Sequence, residues 1–379
     1  MDNKKIPFSR ASISGLEEKY VIEALRSGHL CGDGSFTKKC HAWLEKNVKT
    51  KKALLTHSCT AALEMSALLS DLKHGDEVIM PSFTFVSTAN AIVLRGAVPV
   101  FVEIRSDTLN IDETKIEAAI TNKTKAIMVV HYAGVSCEMD TILEIAKRKN
   151  LLVFEDAAQG MNSKYKGKFL GTIGDLGSLS FHDTKNIVAG EGGALLINSS
   201  DFIKRAEILR EKGTNRSQFF RGEVDKYSWM DVGSSYLPSD ILAALLLAQL
   251  ERSNEITERR SEIWNKYNKA FENFEGKEIV SRPVVPEHCE HNAHIFYLLM
   301  QNLEARTKAL EVLKAKGIAA TFHYVPLHSS PGGKKFGRAH GDLSITNSVS
   351  ERILRLPLWP DMPNSDMIVD LVTDVLKSS

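Results

Sequence analysis

Two short segments roughly thirty residues apart carry the side chains best suited to chemistry: Glu155-Asp156-Ala157-Ala158-Gln159, and Ser180-Phe181-His182-Asp183-Thr184-Lys185 followed by Gly190-Glu191-Gly192-Gly193. Each follows a strand-like apolar run, Leu151–Phe154 in the first case and Leu176–Leu179 in the second, so both open onto one rim of a sheet. An acid and a lysine placed in this way suit pyridoxal phosphate. The Lys185 amine would hold the cofactor as a Schiff base, while the Asp156 carboxylate would pair with the pyridinium nitrogen and keep it protonated, making the ring an electron sink. Either residue alone has a plainer reading, the lysine as a solvated surface residue and the aspartate as a helix N-cap. The order strand-Asp, strand-Lys, glycine turn favours the cofactor.

Other segments supply what such a cofactor needs. Leu54–Leu63 reads as a strand entering a helix through hydroxyl residues, and the backbone N–H groups there, with Ser58 and Thr60, form a phosphate cradle. An ordinary N-cap is the competing use of the same residues. Ser180 is a second hydroxyl for the same phosphate. Pro81–Thr88 offers two aromatic rings, of which Phe85, at the helix start, is the choice to stack on a flat ring, with core packing left for Phe83. Gln159 would reach the ring hydroxyl past the small Ala157 and Ala158, or else face solvent.

Positioning these groups takes a particular architecture. From Ala53 to Asn198 short apolar runs alternate with amphipathic segments, the pattern of an α/β fold with a mainly parallel sheet covered by helices. Seven runs are expected as strands: Ala53–Thr56, Glu77–Pro81, Val98–Ile104, Ala126–His131, Leu151–Glu155, Leu176–His182 and Gly193–Asn198, with helices starting near Thr60, Thr84, Glu113 and Glu138. Ligands collect outside the carboxyl ends of such strands, which brings Ser58, Phe85, His131, Asp156 and Lys185 to one crevice. A long helix is expected from Ser239 to about Phe271. Beyond it, a strand at Ala293–Gln301, a helix at Arg306–Lys316, a strand at Ala319–His323 and helices at Ser350–Arg355 and Asp366–Lys377 make a small α+β domain. The division expected is a large cofactor-binding domain, residues 1–250, and a small C-terminal domain, residues 251–379.

Three of these segments, Glu155–Gln159, Ser180–Lys185 and Gly190–Gly193, resemble those of the DegT/DnrJ/EryC1/StrS aminotransferases, pyridoxal-phosphate enzymes that aminate keto sugars attached to nucleotides. The resemblance spans essentially the whole chain. It implies an aspartate-aminotransferase-like (type I) fold and a homodimer with its sites at the subunit interface. It also implies Lys185 as the Schiff-base residue, Asp156 at the pyridinium, Gln159 at the ring hydroxyl, Phe85 stacked on the ring, and Thr60, Ala61 and Ser180 at the phosphate. More narrowly, Leu30–Thr37, Pro81–Asn90, Lys212–Phe220 and Phe322–His328 resemble members that transfer the amino group of L-glutamate to C4 of dTDP-4-keto-6-deoxy-D-glucose. Their product is the galacto amine used in surface polysaccharides such as enterobacterial common antigen or O-antigen. One departure stands out. Many relatives carry Asn-Tyr-Arg after a glycine before the long helix, the asparagine serving the neighbouring subunit's phosphate, whereas here Gly233 is followed by Ser234-Ser235-Tyr236. Ser235 or Asn215 is left for that contact. By resemblance His323, Tyr324 and His328 approach the crevice as substrate residues of second rank, with a structural histidine as the alternative. His131 and His182, on strand ends, stand likewise.

Composition removes other classes. The chain has 379 residues, 25% of them charged, and a net charge of +1, too balanced for a field that gathers nucleic acid or an anionic membrane. Its five cysteines are scattered without a C-x-x-C pair, which argues against a disulfide framework or a zinc site and for a reducing cytoplasm. The polar first ten residues lack the apolar core of a signal peptide, and the Ile241–Leu247 run is too short to span a bilayer. A soluble cytoplasmic enzyme without a metal is the expectation. Three rivals remain: an aminotransferase of the same fold forming the gluco epimer, a sugar dehydratase, and a non-catalytic cofactor-binding regulator. The dehydratase would carry histidine where Lys185 stands, and the regulator would add a basic helix-turn-helix that the chain lacks.

Overall fold

The computed structural model describes residues 5–275 and 279–377. The seven expected runs all form strands: β1 (Lys52–Thr56), β2 (Glu77–Pro81), β3 (Val98–Val102), β4 (Thr124–Val130), β5 (Leu152–Asp156), β6 (Leu176–Ser180) and β7 (Gly193–Ile197). They lie in one sheet in the order β1-β7-β6-β5-β4-β2-β3. All neighbours from β6 to β3 pair in parallel, and β7 runs antiparallel to both β6 and β1. The C-terminal ends of β1, β2, β4, β5 and β6 therefore share one rim with the N-terminal end of β7, where Thr56, Gly193 and Ser180 stand in register.

The sheet has an eighth strand that the apolar pattern does not announce. Arg338–Ala339 pairs in parallel with β3, and the Arg338 guanidinium donates to both Glu77 carboxylate oxygens at 2.9 Å. These partners lie 261 positions apart, a pairing that no local periodicity encodes.

Side chains on a strand alternate between faces, and here both faces are covered, which is why the strands read as continuous apolar runs. Ile79, Ile127, Val153 and Leu179 pack with Ala24, Phe36, Leu44, Ile142 and Ala243, from the helices Leu16–Ser27, Ser35–Val48, Met139–Lys149 and Asp240–Glu251. Val78, Met80, Met128, Phe154 and Leu195 pack on the other side with Ala62, Met65, Ala91 and Leu209, from Cys59–Leu69, Val86–Val93 and Ile203–Arg210. The same alternation sends Asp156 to the Phe154 face and Glu155 to the Val153 face.

The long helix expected over Ser239–Phe271 is two helices, Asp240–Glu251 and Ser253–Ala270, meeting at Arg252. Ile256, just past the junction, still packs in the sheet core with the first helix, and only the later part of the second helix reaches another core. The first packs on Leu16–Ser27 and Ser35–Val48, whereas Trp264 and Tyr267 of the second pack with Phe271, Phe296 and Leu298. At the junction the Arg252 guanidinium holds Glu255 at 3.1 Å and Glu17 at 3.5 Å.

The C-terminal core is a three-stranded antiparallel sheet of Val280–Ser281, Phe296–Met300 and Ile353–Leu356, flanked by helices Leu303–Ala315, Ser344–Arg352 and Ser365–Lys377. Two expectations fail here. Ala319–His323 makes only a single bridge, Thr321 to Arg355, and the helix expected to run to Arg355 stops at Arg352. From Ile353 the chain pairs with Phe296–Leu299 instead and buries Ile353, Leu354 and Leu356, so tertiary packing outweighs helical continuation. Ile6 joins this core by backbone bonds to Gly317 and Ala319. Among the described residues no helix is long and apolar enough to cross a membrane.

Asp240 ties two of the helices together. Its buried carboxylate accepts hydrogen bonds from Phe36 N (3.2 Å), Thr37 N (2.8 Å) and the Thr37 hydroxyl (2.8 Å), capping Ser35–Val48 from across the fold. Asp240→Ala is expected to cost about 2–4 kcal/mol, the loss of a cap and of charge-assisted bonds in the interior. Urea unfolding should show a lower midpoint at unchanged slope. An unchanged midpoint would deny the cap this role.

Candidate active site

A cavity of about 700 Å³ opens at the rim, within the usual range for small-molecule sites. Thr60, Phe85, Asp156, Gln159, Ser180, Lys185, His323 and Tyr324 all line it. Asp156 and Ser180 arrive from adjacent strand ends on the same sheet face, and Lys185 from the loop that connects β6 to β7.

Asp156 is buried, and two donors hold its carboxylate: the Thr88 hydroxyl at 2.7 Å on Oδ2 and Ala158 N at 3.1 Å on Oδ1. The Thr88 proton is committed to Asp156, so Thr84, 2.8 Å from Thr88, donates to it in turn. Burial pushes the Asp156 carboxyl above its ordinary pKa, against the pull of Thr88, Ala158 and the Lys185 charge. A carboxylate in this state is suited to a cationic N–H partner.

The Lys185 loop is stitched by backbone bonds, Phe181 N to Gly192 O (2.8 Å), Ala189 N to Phe181 O (2.7 Å) and Asp183 N to Gly190 O (2.9 Å). Its amine makes no hydrogen bond or ion pair among the described residues. Burial pulls the amine below the usual lysine range, opposed by Cys59 and Asp156. Next to it, the Asn186 amide donates to Asn292 O and accepts from His294 Nδ1, each at 2.8 Å. Asn292 in turn donates to Gln159 O (2.8 Å) and Met161 O (2.7 Å), so one C-terminal segment braces the Lys185 loop and the Gln159 turn together.

Opposite these, the helix Cys59–Leu69 points its N-terminus into the cavity. Ser58 caps it by accepting from Ala61 N at 3.1 Å, which commits the Ala61 amide and leaves those of Cys59 and Thr60 without a partner among the described residues. Thr60 and Ser87 join through their hydroxyls at 2.8 Å. Free amides at a helix start form an anion site. Gly193 lets the strand pass close beneath it, because a Cβ there would meet the Ser58 carbonyl carbon, Cys59 N at 2.5 Å and Ser58 O at 2.6 Å.

Gln159 is fixed at both ends of its amide, with Oε1 accepting from Ala133 N (2.6 Å) and Nε2 donating to the Tyr324 hydroxyl (2.8 Å). One amide proton remains for a ligand oxygen. Phe85 is 58% exposed at the cavity wall and free to stack, whereas Phe83 is 1% exposed and packs against Tyr132 and Tyr324.

Other expected residues lie elsewhere. His131 is fully buried on the opposite sheet face, its Nε2 on Glu155 at 2.9 Å and its Nδ1 accepting from Cys137 N, so it is a structural histidine outside the crevice. Glu155 also accepts from Gly171, Ile173 and Gly174, which anchors the strand end beside Asp156. His328 bonds Ser82 at 2.7 Å and does not line the cavity. His182 lines it and bonds Thr184 at 3.0 Å. Asn215 accepts from Ser228 N, and Ser235 is exposed beside Glu211, both away from this chain's own cavity. Sequence reasoning missed Thr88, whose place in Pro81–Asn90 is the available signal, and Arg355, which has none. Arg355 lines the cavity with Nε and Nη2 donating to Phe322 O at 3.1 and 2.9 Å.

A buried carboxylate, a lysine held below its usual pKa, free amides at a helix start and a glutamine with a spare proton together fit pyridoxal phosphate, and fold and site define a pyridoxal-phosphate-dependent aminotransferase. The sequence model of the DegT/DnrJ/EryC1/StrS aminotransferase family matches residues 12–375. The chain belongs to this family. It is 35% identical to the spore coat polysaccharide biosynthesis protein SpsC of Bacillus subtilis (strain 168), across 100% of this chain and 98% of SpsC. It is 33% identical to GDP-perosamine synthase of Escherichia coli O157:H7, across 96% of each. The PLP form of Spr1654 from Streptococcus pneumoniae superposes with a TM-score of 0.90 at 28% identity, covering 99% of both chains.

Two outcomes follow from this geometry. Gly193→Ala should push the Ser58–Cys59 backbone out of place and weaken pyridoxal phosphate binding about tenfold or more, read by absorbance titration; wild-type affinity would deny the close approach any role. Burial holds His41, His291, His294 and His323 below the ordinary histidine pKa, His291 at about 4. As pH falls through about 6.5 the unfolded chain takes up protons that the folded chain refuses, so stability is complete above that pH and declines below it, by about 1.4 kcal/mol per pH unit for each histidine. Urea midpoints at about pH 7.5 and 5.5 measure this, and equal midpoints would contradict it.

Proposed function

We propose that this enzyme transfers the amino group of L-glutamate to C4 of dTDP-4-keto-6-deoxy-D-glucose, giving 2-oxoglutarate and dTDP-4-amino-4,6-dideoxy-D-galactose. The observation that carries the transaminase reading is Asp156, at the end of β5, and Lys185, on the loop after the adjacent β6, lining one cavity together with the free helix amides. Bound pyridoxal phosphate supplies an electron sink for the carbanion formed when the α-proton leaves. Lys185 Nζ would hold the cofactor covalently, and its freed amine would carry the proton from the donor Cα to the cofactor's C4′ carbon, as base and then as acid. Its lowered pKa keeps part of the amine unprotonated for that task. Asp156 pairs with the ring nitrogen, Gln159 with the ring hydroxyl, Phe85 stacks on the ring, and Thr60, Ser180 and the helix start hold the phosphate. The Arg355 guanidinium receives the donor carboxylate, and His323 and Tyr324 face the sugar.

The sugar-nucleotide assignment rests on the resemblance of Leu30–Thr37, Pro81–Asn90, Lys212–Phe220 and Phe322–His328, and the galacto configuration on that of Gly32–Gly34 and His323–Tyr324. The 33% identity to an enzyme named for GDP-perosamine favours a second reading, a guanosine-linked keto sugar. Similarity to a spore coat polysaccharide protein supports a place in surface polysaccharide synthesis, here enterobacterial common antigen or O-antigen. We read the enzyme as cytoplasmic and homodimeric, with its domain division near the Arg252 break. The exposed Phe220 and Trp229, 69% and 81% accessible, offer apolar surface for a second copy. Exposed Ser235 is better placed than Asn215 to reach the partner's phosphate.

Borohydride reduction of the yellow holoenzyme should fix the cofactor to the peptide containing Lys185, and Lys185→Ala should bind the aminated cofactor yet lose turnover by about 10³-fold or more. Label on another lysine would refute the assignment. Turnover with dTDP- and GDP-linked keto sugars decides the base. In the product a small H3–H4 proton coupling marks the axial, galacto amine, and a large coupling the gluco epimer.

A further inference from the structure

Tyr132 is fully buried, and its hydroxyl lies 2.6 Å from His323 Nδ1, its single hydrogen-bond partner among the described residues. If this hydroxyl accepted from Nδ1, its own proton would be stranded beside Phe83 and Tyr297, at a cost of about 1–3 kcal/mol. Tyr132 therefore donates and Nδ1 accepts. A neutral imidazole whose Nδ1 is an acceptor carries its proton on Nε2. The groups facing the ring are Tyr132, Tyr324, His294, Arg355 and the Lys185 amine; burial first, and then the Arg355 charge, hold its pKa well below 6.5, so it stays neutral.

The ring is also fixed in place. It stacks on Tyr324 with centroids 3.7 Å apart and meets Phe83 edge-on, while Tyr324 is held by Gln159. His323 lines the cavity, and its Nε2 has no hydrogen-bond partner among the described residues. The result is one unpartnered N–H of fixed position on a neutral ring at the cavity wall.

We propose that His323, locked as its Nε2–H tautomer by Tyr132, donates a hydrogen bond to a hydroxyl or carbonyl oxygen of the bound keto sugar, with Tyr132 as its positioning residue. The assignment rests on the aminotransferase reading above. Arg355 offers a charge to the donor carboxylate, whereas an uncharged donor matches an uncharged sugar oxygen.

Nitrogen NMR of holoenzyme labelled with ¹⁵N-histidine reads the tautomer without turnover, His323 being assigned by the signals lost in His323→Gln. A pyrrole-type Nε2 and a pyridine-type Nδ1, unchanged from about pH 8 to 6, are expected. A protonated Nδ1, or a ring that titrates in that range, would overturn the proposal. Tyr132→Phe should shift the His323 nitrogens toward a mixture of tautomers; unaltered signals would remove Tyr132 from its role. In kinetics, the glutamine amide nitrogen stands where Nε2 was and that of asparagine where Nδ1 was. His323→Gln should keep the sugar KM within about threefold, whereas His323→Asn raises it about tenfold and leaves the glutamate KM unchanged. Equal effects of the two variants, or an effect confined to glutamate KM, would contradict the sugar assignment. Absence of a glutamate half-reaction in the wild type would refute the aminotransferase reading and leave the tautomer measurement standing.

Discussion

A carboxylate and an amine that face one low-dielectric cavity are both costly to keep charged unless a partner meets them there. Burial pushes Asp156 up and Lys185 down, each toward its neutral form. A cofactor whose ring nitrogen is cationic and whose aldehyde condenses with an amine relieves both costs at once. The free amides at the Cys59–Leu69 helix start would then meet the phosphate charge.

The rest of the molecule supplies positions for that arrangement. The pleat of β5 separates two adjacent acids into different tasks, Glu155 as a structural anchor for the Gly171–Gly174 turn and Asp156 as the site carboxylate. The register of β1, β7 and β6 brings Ser58 and Ser180 to the same rim, and Gly193 allows the approach. The C-terminal core contributes from the far side. Asn292 and His294 hold the Lys185 loop and the Gln159 turn, and the Arg260 guanidinium fixes their backbone by donating to Ala293 O and His294 O. The C-terminal core thus helps set the angle between the Lys185 loop and the Gln159 turn, with His294 and Arg260 themselves lining the cavity.

Much of this was legible in the chain because it is local. Strands buried on both faces show as apolar runs, and a strand followed by an acid, or by a lysine and a glycine turn, marks the rim. What escaped depends on pairings across the sequence. Thr88 matters through Asp156, 68 positions away, and Arg338 through Glu77. The break at Arg252 has no glycine or proline to announce it. Ile353–Leu356 reads as the end of a helix until Phe296–Leu299 offers it a strand to pair with. His131 was misplaced because a strand end shows which rim a side chain reaches, and only the pleat shows which face.

Asp156 is proposed to act through its charge on the cofactor ring when the α-proton leaves, more than by retaining the cofactor. Stopped-flow measurement of the glutamate half-reaction in Asp156→Asn, with cofactor affinity and thermal midpoint recorded on the same protein, tests it directly. The expected result is a rate reduced about 10²-fold or more, with cofactor affinity altered by less than about tenfold and the fold intact. A near-wild-type rate in a folded, cofactor-loaded variant would contradict it.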